Sequence, residues 1–151
     1  MSGPILSITR EFAASPERVF DAWLDPADAC RFLFVTPDGE IVACEIDPRV
    51  GGTGRIVERR DQGEVHHRLR FEAIERPHRL VFRFAAGAAD ADSWTRVAIA
   101  IVPSGAGCTL TLTHEMDPDW AAYEAQTRKG WTMILASLAR ILENRHECPV
   151  R

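Results

Sequence analysis

The sequence predicts an α+β fold in which a curved, antiparallel seven-stranded sheet covers one long C-terminal helix, with two short helices after the first strand. Two observations carry this. An apolar stripe runs along Asp117 to Arg145 at helical spacing, and turn residues cut the stretch from Glu40 to Glu115 at intervals too short for helices between strands.

The C-terminal segment is the organising element. Trp131, Ile134, Leu135, Leu138, Ile141 and Leu142 recur three and four residues apart, so they share one helical face, and Trp120, Tyr123 and Thr127 extend it backwards. Asp117 can cap, Pro118 suits the first helical position, and Arg140, Arg145 and His146 sit where the helix dipole favours cations. A helix of this length spans roughly 40 Å, which only a sheet can cover. Trp131 is expected to anchor it, with Gly130 as a close-approach site.

Ile5 to Phe12 alternates as a strand with Leu6, Ile8, Arg10 and Phe12 on one side. Ser15 and Pro16 open a short helix whose buried face is Val19, Phe20, Trp23 and Leu24. A second runs from Pro26 to about Phe34 and stops before Thr36, Pro37, Asp38 and Gly39. Strands follow over Glu40 to Ile46, Gly54 to Arg60, Glu64 to Glu75, Arg79 to Ala85, Ser93 to Val102 and Cys108 to Glu115. Leu80, Phe82, Phe84 and Cys108, Leu110, Leu112, His114 mark an oily face, and Thr109, Thr111 and Thr113 a wet one.

Composition bounds the function. At 151 residues, 46% hydrophobic and 26% charged, the chain suits one domain over 1–151 with its core at about 5–145. A net charge of −4 gives no footprint for nucleic acid, and no apolar run reaches membrane-spanning length, so a cytoplasmic protein is the default. Cys30, Cys44, Cys108 and Cys148 form no Cys-x-x-Cys pair and read as reduced thiols.

Arg10, Phe12, Ala14 and Pro16, then Val19-Phe20, Ala22-Trp23 and Pro26, are spaced as in a known family. Downstream come Asp47-Pro48-Arg49-Val50-Gly51-Gly52, Arg76-Pro77 with Leu80-Val81, and Gly130-Trp131. Together they make the chain resemble the activator-of-Hsp90-ATPase-homologue-like proteins of the START-like, helix-grip superfamily. Two departures stand out: Arg31-Phe32-Leu33-Phe34 replaces tryptophans common in the family, and a glycine expected in the Glu64 to Glu75 strand is missing. The resemblance implies a cavity between sheet and helix that takes an apolar or amphipathic small molecule. Its candidate lining is Arg10, Trp23, Phe32, Phe34, His67, Leu69, Phe71, Phe82, Trp94, Leu112, His114, Trp131 and Leu135.

Chemistry is thinner than packing. Arg10, His67 and His114 are the polar residues on inward faces; Arg10 could hold an anionic group or pair with Glu45, and a lone histidine on an apolar face is most often a satisfied core residue. His66 and His67 project to opposite faces and make no metal pair. Gly51-Gly52-Thr53-Gly54 lacks the Gly-Lys-Ser/Thr of a phosphate loop, and no cofactor motif is present.

Three classes of function remain in order. A small-molecule binding protein comes first and a cavity enzyme of cyclase, hydrolase or isomerase type second, since no acid–base constellation is recognisable. A chaperone-regulating module comes third, because the further domain of eukaryotic-type activators has no room here. Homodimerisation stays open.

Overall fold

In the computed structural model, residues 3–34, 39–61, 63–87 and 94–147 are described. The turn expected at Thr36, Pro37 and Asp38 lies outside these residues, as do Cys148 and the side chains of Trp120, Arg145 and His146.

The elements run β1 (Ile5–Phe12), α1 (Pro16–Leu24), α2 (Pro26–Phe32), β2 (Glu40–Ile46), β3 (Thr53–Arg60), β4 (Gly63–Glu75), β5 (Arg79–Gly87), β6 (Thr95–Ser104), β7 (Gly107–Glu115) and α3 (Glu124–Glu147). The strands form one antiparallel sheet in the order β1-β7-β6-β5-β4-β3-β2. Successive strands from β2 to β7 are neighbours through hairpins, whereas β1 and β2, consecutive in sequence, lie at opposite edges. The chain crosses between those edges through α1 and α2. Bulges between Ile41 and Ala43 and between Phe71 and Ala73 add local bending.

The caps form as the residue types dictate. Ser15 Oγ accepts from the Arg18 N–H at 3.1 Å, and Asp25 accepts from the Ala27 N–H at 3.0 Å, each just before a proline in the first helical turn. Arg76 holds Asp21 through two bonds of 2.8 and 3.0 Å, tying α1 to the β4–β5 turn.

The core lies between the concave sheet face and the helices. Leu6 and Phe12 of β1, Ile56 of β3, Leu69 and Phe71 of β4, Leu80 and Phe82 of β5, and Val97, Ile99 and Ile101 of β6 are buried against Trp131, Ile134, Leu135, Leu138, Ile141 and Leu142 of α3. On the convex face, Glu72 pairs with Arg83 and Arg96, and Arg96 also reaches Glu115. Arg83 stands directly opposite Arg70 and Arg96 in the strand register, so the interposed carboxylate offsets like-charge repulsion.

Four expectations are corrected. The C-terminal segment is not one helix from Asp117: Pro118–Tyr123 is a 3-10 helix, and α3 begins at Glu124. The tighter winding breaks the 3.6-residue phase, so Tyr123 is exposed and falls off the stripe. Gly130 is no close-approach site, for it is exposed and a Cβ there would meet nothing within 4 Å. Finally, Cys30 and Cys44 are not free thiols but a disulfide joining α2 to β2, with Cα atoms 5.9 Å apart. Cys108 is a buried free thiol.

Candidate ligand cavity

At one end of the interior, aromatic side chains from four elements converge. His67 of β4, Phe84 of β5 and Trp131 of α3 pack on Phe34, which follows α2, and His114 of β7 stands edge-on to Phe84 and Trp131. Strand alternation brings His67 inward with Leu69 and Phe71, and His114 inward with Leu110 and Leu112.

The two histidines are held in different ways. The Trp131 Nε1–H donates to His114 Nδ1 at 3.1 Å, so that nitrogen is the acceptor and Nε2 carries the proton. Nε2–H then donates to Thr95 Oγ1 at 2.7 Å, and the Thr95 hydroxyl donates to the Phe84 carbonyl at 3.3 Å. This chain satisfies every polar atom of the indole and the imidazole. His67 Nδ1–H donates to the Ile56 carbonyl at 3.3 Å. Burial is the largest cause lowering both rings, each to about 4, so both are neutral near pH 7.

Beside this cluster lies a cavity of about 190 Å³ lined by Phe84, Ala86, Thr95, His114, Met116, Asp117 and Thr127. Its walls are chiefly apolar, while Thr95, His114, Asp117 and Thr127 supply polar atoms. Thr127 Oγ1 donates to the Tyr123 carbonyl at 3.0 Å and keeps acceptor capacity.

Of the expected lining residues, Phe34, His67, His114 and Trp131 meet in the cluster, and His114 also reaches the cavity. Leu69, Leu112 and Leu135 belong to the core nearby. Phe71 and Phe82 pack edge to face at 6.3 Å, and Trp23 and Phe32 do so at 5.2 Å, away from the ring cluster. Two residues are corrected. Arg10 is exposed, its guanidinium 5.9 Å from the Phe12 ring centre, and Glu45 pairs instead with Arg55 at 3.1 Å. As β1 is an edge strand, the arginine stem can cover apolar surface while its head stays in water. Trp94 lies on the convex face, 5.0 Å from the guanidinium carbons of both Arg68 and Arg70.

Sequence reasoning missed Thr95, Phe84 as lining, Ala86, Met116, Asp117 and Thr127. Thr95 was findable, because it shares parity with the inward Val97, Ile99 and Ile101. Glu58 was also missed: its carboxylate is fully buried on the inward face of β3 and bound by Arg60 at 2.6 Å. Among the described residues, no three His, Cys, Asp or Glu side chains gather as metal ligands, and no helix is long and apolar enough to cross a membrane.

Residues 13–143 match the family model described as activator of Hsp90 ATPase homolog 1-like protein. The chain belongs to that family. The fold is shared with the AHSA1-like protein from Aeromonas hydrophila, at 23% identity and a TM-score of 0.79 over 95% of this chain and 94% of that one. A Rhodobacter sphaeroides protein is 24% identical with a TM-score of 0.79 over 95% and 97% of the two chains. A Nitrosomonas europaea protein is 20% identical with a TM-score of 0.80 over 93% and 95%. The chain has no match among curated proteins.

Proposed function

We propose that this AHSA1-like protein binds an amphipathic small molecule between its sheet and α3, the apolar body against Phe84 and Met116 and the polar end near Thr95 and Thr127. The observation that carries the reading is the cavity itself, with apolar walls and a few convergent polar groups beside the ring cluster. His114 contributes shape and a fixed dipole rather than proton transfer, since both its nitrogens are engaged and it is neutral near pH 7. That favours binding over the cavity-enzyme alternative. The exposed charges of the sheet pair across strands, as in Arg55–Glu45, Arg59–Glu40 and Arg96–Glu115, which does not favour a single-sign docking face for a chaperone.

The test is a panel of apolar acids, phenols and lipids followed by thermal unfolding and by the NMR signals of His114, Thr95 and the Trp131 indole. A ligand at 100 times its dissociation constant should stabilise the fold by about 2.7 kcal/mol. Ala86→Phe, which fills the cavity mouth, should remove that gain. A panel that shifts neither melting nor these signals would sink the reading.

A further inference from the structure

Phe34 is an unusual way to end a helix segment. Its backbone φ is 57°, in the left-handed region that glycine or asparagine ordinarily supplies, yet its large side chain is 7% exposed. Such a conformation persists only where surrounding packing over-determines it.

The packing is flat-on. The Phe34 ring lies 4.2 Å from His67 at 3° and 5.0 Å from Phe84 at 10°, while His67 and Phe84 are 6.2 Å apart at 13°. The last distance is much shorter than the other two together, so His67 and Phe84 do not sandwich Phe34. They lie side by side as one planar platform on β4 and β5, and Phe34 is tiled over both. The Ile56 carbonyl holds the orientation of His67, and Trp131 stands edge-on to Phe34 at 5.8 Å and 62°. Phe84 is also a wall of the open cavity. The platform thus shares Phe84 with the cavity, which at about 190 Å³ is below the roughly 300–1,000 Å³ typical of ligand pockets.

Resting on the ligand-binding reading above, we propose that Phe34 is an internal stand-in for ligand. A planar aromatic molecule displaces it and stacks on the His67–Phe84 platform, its polar substituent reaching towards Thr95 and Thr127. Displacement would release the left-handed backbone at Phe34, which offsets part of the lost packing, and would join the platform to the existing cavity. Planarity is the selective feature, because the platform gains from stacking only with a flat partner.

Naphthol and its saturated, non-planar analogue decahydronaphthol test this against wild type, Phe34→Ala and His67→Leu. With the stand-in removed, Phe34→Ala should bind naphthol about ten-fold or more tighter than wild type, since the competent state is no longer a minor population. It should prefer naphthol to decahydronaphthol, and adding His67→Leu should erase that preference. In wild type, saturating naphthol should shift the Phe34 ring resonances out of their stacked positions. Should Phe34→Ala not fold, Phe34→Leu keeps apolar bulk without the ring and carries the same comparison. Equal naphthol affinity with and without the Phe34 ring, equal affinity for the saturated analogue, or wild-type binding that leaves the Phe34 ring unmoved would each overturn the inference. In those cases, binding that still perturbs Thr95 and His114 would leave the cavity reading standing. No binding of any compound to any variant defeats both.

Discussion

Trp131 Nε1 donates to His114 Nδ1 across 3.1 Å, joining the N-terminal part of α3 to β7 through two buried rings. Trp131 is 3% exposed and His114 5%, so water does not replace the bond if it is lost. Trp131→Phe keeps most of the ring but strands the His114 lone pair, and should cost about 1–3 kcal/mol. Trp131→Ala, which also opens a cavity, should cost about 3–5 kcal/mol. Urea unfolding measures both. A loss under about 1 kcal/mol for the alanine variant would mean that this end of the helix contributes little to the grip.

Stability should fall as pH drops from about 6.5 to about 4. His67 and His114 have folded values of about 4, below the ordinary 6.5, with burial the largest cause for each. The unfolded chain therefore takes up protons first on acidification. The stabilisation is complete above the unfolded value and is lost as pH falls through the window between the two. Each histidine contributes a slope of at most about 1.4 kcal/mol per pH unit. Asp21 and Glu72 are lowered chiefly by hydrogen bonds from Arg76 and Arg83, so they add their loss at lower pH, near and below their ordinary 3.8 and 4.5. Denaturation curves between pH 6.5 and 5 consequently report the histidines, and His114→Gln should about halve the slope there. A flat profile in wild type would show that neither ring is held neutral.

Gly130→Ala should stabilise the protein. The residue lies inside α3, exposed, with open space where a Cβ would stand. Removing glycine's extra freedom in the unfolded chain is worth about 0.5–1 kcal/mol in a helix interior. The rise in melting temperature on scanning calorimetry checks it, and a loss of stability would indicate a close neighbour at that face.

The fold was legible because its signals are local: the period of 3.6 in Trp131 to Leu142, the period of two in Leu80 to Phe84 and Cys108 to His114, and prolines beside Ser15 and Asp25. Parity identified His67 and His114 correctly. It also placed Arg10 on the inward side, but parity cannot tell that an edge strand leaves a long side chain a route to water. Trp94 was misplaced for a different reason. It has the opposite parity to Val97 and Ile99, so the strand register turns it outward despite its aromatic character. The 3-10 start of the last helical segment, the left-handed backbone at Phe34 and the pairing of Cys30 with Cys44 depend on tertiary packing, which no short window of residues encodes.

The Cys30–Cys44 disulfide should contribute measurably to stability. It joins α2 to the edge strand β2 across a sequence separation of 14, and α2 carries Phe32 into the core immediately before Leu33 and Phe34. In the chain-entropy account, closing a loop of that size restricts the unfolded chain by about 3 kcal/mol. The paired variant Cys30→Ser, Cys44→Ser should therefore lose about that much in urea unfolding, mainly as a lower midpoint. Reductant should destabilise wild type towards the level of the variant and leave the variant unchanged. Cys108 is buried and does not compete for either partner in the folded chain. Equal midpoints for oxidised wild type and the double variant would mean that the bridge adds no constraint beyond the packing of α2 against β2 and α3.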